Sequence, residues 1–528
     1  MEAITDKPDW TTKIWKDEIT DKWESEILQS GLDVSELMVE YILKELRWKA
    51  QQYAKTGIIT AFDPGVVKSD TVIPQDLQQK LRDAVKPLEE VSEEQKDYHP
   101  GSGDKVVDLV HPSLFPLVYG RTRVLRDSTI DVANCFSSIG QGTVAEIAED
   151  TGPAYPGRRI AERVEQYSKR FQWLPCNVDI GQDGECRIVS YINNLHPAKH
   201  MDLYHVIEQI ITRTIPLWNI SITRLDDLPR RIHYHTVEYP SDEEPEPEWN
   251  PDPNDRRYEE WSEKRQPKQP EPHPRLLQPP MVEPPELVDL RNSFRERGLQ
   301  IIVKLANIEL TPEKPDYEGG SWHVEGQLNE RICATAIYYY DSENITENTL
   351  SFRHRADLEY VQDVSYEQGQ FQFLRVFGFE PDSGYHDEGS SITQELGGVS
   401  CRTGRLLTFP NTLQHRVSPF SLADRSKPGH RKILALFLID PNRRIISTAN
   451  VPPQREDWCN NWIEAANNVL ASRLPVELQD MIHENLDFTP MTMDEAKAYR
   501  QELMDERAFK SASENDLFTQ GGFNLCEH

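Results

Sequence analysis

Five apolar, β-rich segments crowd the C-terminal half of the chain: GLQIIVKLANIEL (298–310), RICATAIYYY (331–340), QFQFLRVFGF (370–379), GRLLTFP (404–410) and HRKILALFLID (430–440). Turn-forming residues separate them, and no amphipathic helix pattern lies between. Parallel neighbours would need crossover helices, so these strands must pair antiparallel, in a sandwich or barrel. This block, about 286–450, is therefore the expected core.

The flanks differ in texture. Residues 1–237 read as mixed and mainly helical, packing on the core. In DVSELMVEYILKELRWKAQQY, Asp33 is a candidate N-cap and Val34, Met38, Tyr41, Ile42 and Trp48 recur at helical spacing. WLPCNVDI and CRIVSYI read as two strands joined by Gly181-Gln182-Asp183-Gly184, and a helix should follow Pro197 with Leu203, Ile207 and Ile210 on one face. Residues 240–285 hold 13 of the 37 prolines plus acidic runs such as SDEEPEPEW, too few apolar groups for a core, so 238–285 reads as a linker or strap. Residues 451–528 read as helical.

Charge narrows the function. With 58 Lys and Arg against 88 Asp and Glu, the chain carries −30, which argues against a nucleic-acid groove. Seven widely spaced Cys without a CxxC pair form neither a disulfide framework nor a zinc ribbon. The acidic start lacks a signal-peptide core, and no run reaches the roughly 20 apolar residues of a membrane span. The expectation is a protein of the cytoplasm or nucleus with no nucleic-acid or membrane partner.

Chemistry enters through His323 and Glu325. An H-x-E pair on a strand puts both side chains on one face, and one distant His completes a facial triad with open positions. The pair alone means little, because His200/Asp202 and His386/Glu388 share the spacing. His200 sits at a helix start, where i and i+2 face apart. His386 to His415 is a tight span for the intervening strands. His323 to His415 leaves ample room, and Arg431, opening the next apolar strand, offers a planar fork for a carboxylate.

The run G-x-L-L-x-F-P-x-x-x-x-H-x-V-x-P from Gly404 to Pro419, with Arg431 on the following strand, resembles the distal half of the prolyl 4-hydroxylase-like 2-oxoglutarate oxygenases. Trp322-His323-Val324-Glu325-Gly326, then Arg331 and ATAIYYYDSENITENTLSF, resembles the proximal half. The likeness covers about residues 320–440. It implies an α+β protein with a double-stranded β-helix (jelly-roll) core, Fe(II) on His323, Glu325 and His415, and 2-oxoglutarate held by Arg431, with O2 and an unknown small molecule or peptide as the other reactants. Glu325 replaces the commoner Asp. The gap from His415 to Arg431 is long for the pattern, which leaves Arg416 and Arg425 as rivals. Tyr338 and Tyr340 share a strand face that could reach the 2-oxoglutarate pocket. More widely, KSDT, LVHPSLFPLVYGRTRVL, SYINNLHP and FLIDP resemble phrases of a fungal family known only as a domain of unknown function. Two alternatives stay open: a non-catalytic interaction protein on an inactive jelly roll, and a cupin-like metalloenzyme that uses no 2-oxoglutarate. His196, His200 and His205 lack cysteine company and read as capping and packing residues. His233 and His235 read as surface or strand-edge residues.

Overall fold

The computed structural model describes residues 1–32, 34–147, 167–223, 234–240, 245–248, 250–252, 255–272, 286–355, 364–365, 376–378, 393–458, 475 and 488–520. Most of the QFQFLRVFGF segment, His233, His386 and Asp33 lie outside them. The protein is mixed α/β, built on one large antiparallel sheet.

Fourteen strands matter for the site. They are β1 (Ile59–Phe62), β2 (Val66–Ser69), β3 (Val106–Val110), β4 (Cys176–Ile180), β5 (Cys186–Ile188), β6 (Leu299–Leu310), β7 (Asp316–Tyr317), β8 (Ile332–Glu343), β9 (Thr349–Arg355), β10 (Thr393–Ser400), β11 (Leu406–Pro410), β12 (Gln414–Val417), β13 (Phe420–Ser421) and β14 (Gly429–Ile439). The large sheet runs β1-β2-β11-β8-β14-β6-β4-β5, with β3 also paired to β6. A second sheet runs β10-β9-β12, and β7 pairs with β13. Five strands from before residue 190 thus extend the sheet made by the later block.

Alternation along β14 explains the layering. Ile433, Ala435, Phe437 and Ile439 pack with Phe352, Val399 and Phe409 of the second sheet's side, whereas Leu434, Leu436 and Leu438 face the helices. Both faces are covered, so the strand reads as one continuous apolar run. Helices α2 (Gln75–Glu89) and α3 (Met201–Ile222) supply the outer cover through Leu77, Leu81, Leu203, Ile207, Ile210 and Trp218. The expected face of α3 is therefore the buried one. The turn 181–185 joins β4 to β5 in the expected hairpin, with Val178 opposite Ile188.

Helix α1 (Glu36–Thr56) begins later than expected. Ser35 is its N-cap, and its hydroxyl accepts from the Met38 N–H at 3.1 Å. At the other end of the chain, α4 (Met493–Gln520) lies along the second sheet and the loop before β8. Arg507 bonds Glu330, Lys510 bonds the Gly326 carbonyl at 3.3 Å, and Asn515 bonds the Trp322 carbonyl at 3.0 Å.

Candidate metal centre

Two glycines set the backbone that carries His323 and Glu325. Gly319 has φ +90°, and a Cβ there would lie 2.8 Å from the Val417 carbonyl oxygen. That close approach lets the 320–325 segment run alongside β12. Gly326, at φ +69°, ends the run, and a Cβ would meet Ile332 at 2.7 Å. Between them His323 and His415 pair as antiparallel neighbours. Each donates its N–H to the other's carbonyl, at 3.2 and 3.0 Å.

Directly opposed residues project to one face; the expected strand is here a single bridge at His323, and Glu325, in the bend that follows, brings its carboxylate to the same side. The imidazole centroids are 4.4 Å apart. Glu325 Oε1 lies 3.4 Å from His415 Nε2 and 3.8 Å from His323 Nε2. Adjacent ligands on one ion, each about 2.0–2.2 Å from it, sit roughly 3 Å apart, so the three groups fit a single metal with little movement. Here the structure brings together the three side chains that the resemblance singled out.

The surroundings favour ligation. His323 Nδ1 donates to the Ser321 carbonyl at 2.8 Å, which directs Nε2 inward. Asn411 brackets Glu325: its carbonyl oxygen accepts from the Glu325 N–H at 2.8 Å, and its amide donates to the Glu325 carbonyl at 2.9 Å. Burial alone would raise the Glu325 carboxyl, but the His415 hydrogen bond and the two imidazoles outweigh it and hold the group down to about 2. Packing around the His323 ring, with His415 beside it, lowers His323 below its ordinary value, so it is readily neutral. Phe409 and Phe352 wall His415 at 4.7 and 6.5 Å between ring centroids. The His323 side chain is 37% exposed and that of His415 3%, so access to the group is from the His323 side.

Arg431 enters β14 facing the same intersheet layer. It is buried, bonds Asn348 Oδ1 at 2.7 Å, and leaves Nε without a partner. Its guanidinium lies 4.9 Å from the Phe420 ring centroid and 5.7 Å from that of Tyr339. Among the described residues no carboxylate pairs with it. The rival arginines are engaged elsewhere: Arg416 stacks on Trp322 at 4.5 Å, and Arg425 pairs with Asp316 at 2.8 Å on the exposed surface.

Tyr338 is a correction. It packs with Tyr340 in the cluster between the large sheet and helices α2 and α3, away from the metal ligands. Tyr339 is the tyrosine of this strand that turns toward Arg431. The parity of the strand was ambiguous because three tyrosines follow one another. His196 packs between Phe136 and Trp458, at 4.9 and 5.0 Å, and His205 pairs with Glu208 at the surface, as packing roles require.

A second cluster had no motif to announce it. His99, Asp108 and His111 gather at the β3 end of β6. His99 Nδ1 bonds Asp108 at 2.8 Å, and Arg500 of α4 lies 3.7 Å from the same carboxylate. His111 Nδ1 accepts from the Ser113 N–H at 3.2 Å. Its proton therefore sits on Nε2, the tautomer of a donor rather than of an Nε2 ligand. The only sequence sign was a histidine inside LVHPSLFP, with spacing typical of nothing in particular. A cavity of about 440 Å³ lies elsewhere, lined by Asp183, Asn219, Asp289, Arg291 and Arg295 among others.

Two antiparallel sheets enclosing a pair of histidines and a carboxylate define a candidate two-histidine, one-carboxylate metal protein. The chain belongs to the family described as "Protein of unknown function (DUF4246)", whose profile matches residues 36–462. No curated protein matches the sequence. Solved structures with distant similarity include a bsmA homolog from Methylobium petroleophilum PM1 (12% identity, TM-score 0.16, covering 27% of this chain and 42% of that one). Others are IDO from Bacillus thuringiensis (12%, 0.16, 28% and 52%) and the Fe(II)/(alpha)ketoglutarate-dependent dioxygenase TqaL (15%, 0.16, 29% and 45%). The chain spans about half the length or less of each, and overlaps of this size carry no argument about chemistry. Among the described residues no helix is long and apolar enough to cross a membrane.

Proposed function

We propose that this protein is an Fe(II)/2-oxoglutarate-dependent oxygenase acting on a small molecule or peptide, with His323, Glu325 and His415 as the iron ligands. In this reading the core is a double-stranded β-helix. The order β11-β8-β14-β6 in one sheet and β10-β9-β12, continued by the His323 segment, in the other is consistent with it. The observation that carries the proposal is Arg431: a buried cation with no carboxylate partner among the described residues, facing the same layer as a metal-competent triad. A buried charge without a counter-ion is costly, and such a group at a candidate site is a receptor for one.

Bound iron would supply the oxidising chemistry, with 2-oxoglutarate as co-substrate and O2 as oxidant. The chain's own residues position and insulate. Ser321 and Asn411 orient the ligands. Arg431 holds the far carboxylate of 2-oxoglutarate, with Asn348 fixing its plane. Tyr339, Phe352 and Phe409 keep water from the layer between the sheets.

Anaerobic titration tests this. Fe(II) followed by 2-oxoglutarate should produce a metal-to-ligand charge-transfer band that is lost in His323→Ala. Arg431→Ala should weaken 2-oxoglutarate far more than iron. Wild-type protein that takes up no iron would end the proposal. Iron uptake without the band would leave a metalloprotein that does not use 2-oxoglutarate.

A further inference from the structure

Lys304 stands on β6 directly opposite Ala435 of β14. Opposed residues share a face, and Ala435 belongs to the intersheet layer with Tyr339 and Phe437, so Lys304 points into that layer. Two residues along β6, Ala306 opposes Asp108, which carries the second cluster. Alanine on both sides leaves room around the lysine stem. Lys304 is only partly buried, so solutes can reach it.

No acidic group among the described residues lies within ion-pair distance of Lys304. The nearest candidate is spoken for. Asp108 takes its hydrogen bond from His99, has Arg500 close by, and keeps its remaining oxygen sealed from solvent. The face Lys304 occupies also holds Phe352 and Phe409, which wall His415, and its strand lies against the β3 segment that carries Asp108, so both clusters border that face. His111 presents its Nε2–H in the same neighbourhood, because Ser113 occupies Nδ1. A strongly hydrated ammonium kept without a counter-ion on an inner sheet face, beside a second neutral donor, is arranged for an incoming anion.

We propose that Lys304, seconded by His111, recognises a carboxylate on the primary substrate and so aims the rest of that molecule at the His323–Glu325–His415 centre. The site is distinct from the one held by Arg431. Arg431 lies opposite Ile308, four residues along β6 from Lys304, a span of about 13 Å at a strand's rise. The aiming of a reacting carbon rests on the oxygenase reading, whereas the carboxylate site itself does not.

The test uses full-length protein and 4-fluorobenzoate as probe, followed by 19F line broadening. It is run on Arg431→Met protein, which removes the guanidinium assigned to 2-oxoglutarate, both metal-free and loaded anaerobically with Fe(II). The probe should broaden and compete with unlabelled benzoate, while neutral 4-fluorobenzyl alcohol should not. Adding Lys304→Met should weaken probe binding at least about tenfold, and Lys304→Arg should restore part of it. Thermal melts confirm that each variant folds. No broadening with Lys304 present, equal broadening by the neutral alcohol, or unchanged binding in Lys304→Met would each overturn the proposal. Lys304-dependent binding without iron uptake would sustain the carboxylate site and remove the oxygenase reading. Iron uptake and a charge-transfer band in wild-type protein without probe binding would do the reverse.

Discussion

Asn411 holds Glu325 through both backbone polar groups of that residue, accepting from its N–H at 2.8 Å and donating to its carbonyl at 2.9 Å, so the carboxylate ligand's backbone is fixed by a side chain 86 residues away. Its amide also reaches the Ile332 carbonyl at 3.1 Å. Asn411→Ala should therefore loosen the ligand without touching the metal. The expected loss is about 1–3 kcal/mol of stability from unsatisfied backbone groups. Metal affinity should fall roughly 10–100-fold, the usual cost of losing an outer support. Calorimetric titration with Co(II), alongside denaturant melts, measures both; unchanged affinity would show that Asn411 is structural only.

Arg431→Met should separate stability from ligand binding. Removing a buried cation that lacks a carboxylate partner and retains an orphaned Nε relieves desolvation, and Met fills the space. The melting temperature of ligand-free protein should hold or rise. Added 2-oxoglutarate should raise it in wild type and not in the variant. A drop of several degrees in the ligand-free variant would mean the arginine holds the sheets together.

Acid should destabilise the metal-free protein partly through His111. Burial depresses its pKa well below 6.5. Below about pH 6.5 the unfolded chain therefore binds a proton that the folded protein refuses, and stability falls as pH drops toward the folded value. His111→Gln should flatten the stability–pH curve between pH 6.5 and 5 by up to about 1.4 kcal/mol per pH unit. Identical slopes in variant and wild type would show that His111 protonates freely in the folded state.

The N-terminus is pinned to the large sheet by charge. The Arg405 side chain has no exposure and pairs with Asp6 at 2.8 Å and Asp70 at 2.7 Å. Lys68 pairs with Glu2 and Asp6 at 2.5 and 2.6 Å. Arg405→Met leaves the partly exposed Asp70 without its partner and Asp6 with Lys68 and Arg402 alone, and should cost about 1–3 kcal/mol. Limited proteolysis should then cut within the first 30 or so residues sooner than in wild type. If the cleavage pattern stays the same, the apolar packing of Ile4, Trp10 and Ile14 suffices to hold the segment.

Local pattern carried a good deal. The β4–β5 hairpin was readable from Gly181 and Gly184 flanked by alternating residues, and α3 from the spacing of Leu203, Ile207 and Ile210. The three side chains that meet were singled out by the resemblance of the strings around them, with chain spacing only narrowing the choice among H-x-D/E pairs. The start of α1 was misjudged by two residues, since Asp33 and Ser35 are equally good caps in isolation.

What the sequence alone determined is the set of chemical groups and their order along the chain: an H-x-E pair, a later histidine, a later arginine. Which face of the Tyr338–Tyr340 run meets Arg431 was decided by the tertiary structure, through the register that sets Tyr338 opposite Leu434 and Tyr339 opposite Ile433. So was the meeting of His99, Asp108, His111 and Lys304, whose strands are joined by pairing across nearly 200 residues. Spacing in the chain governs which side chains share a face; only long-range register governs which faces meet, because each strand's partners are chosen by the burial of the whole sheet.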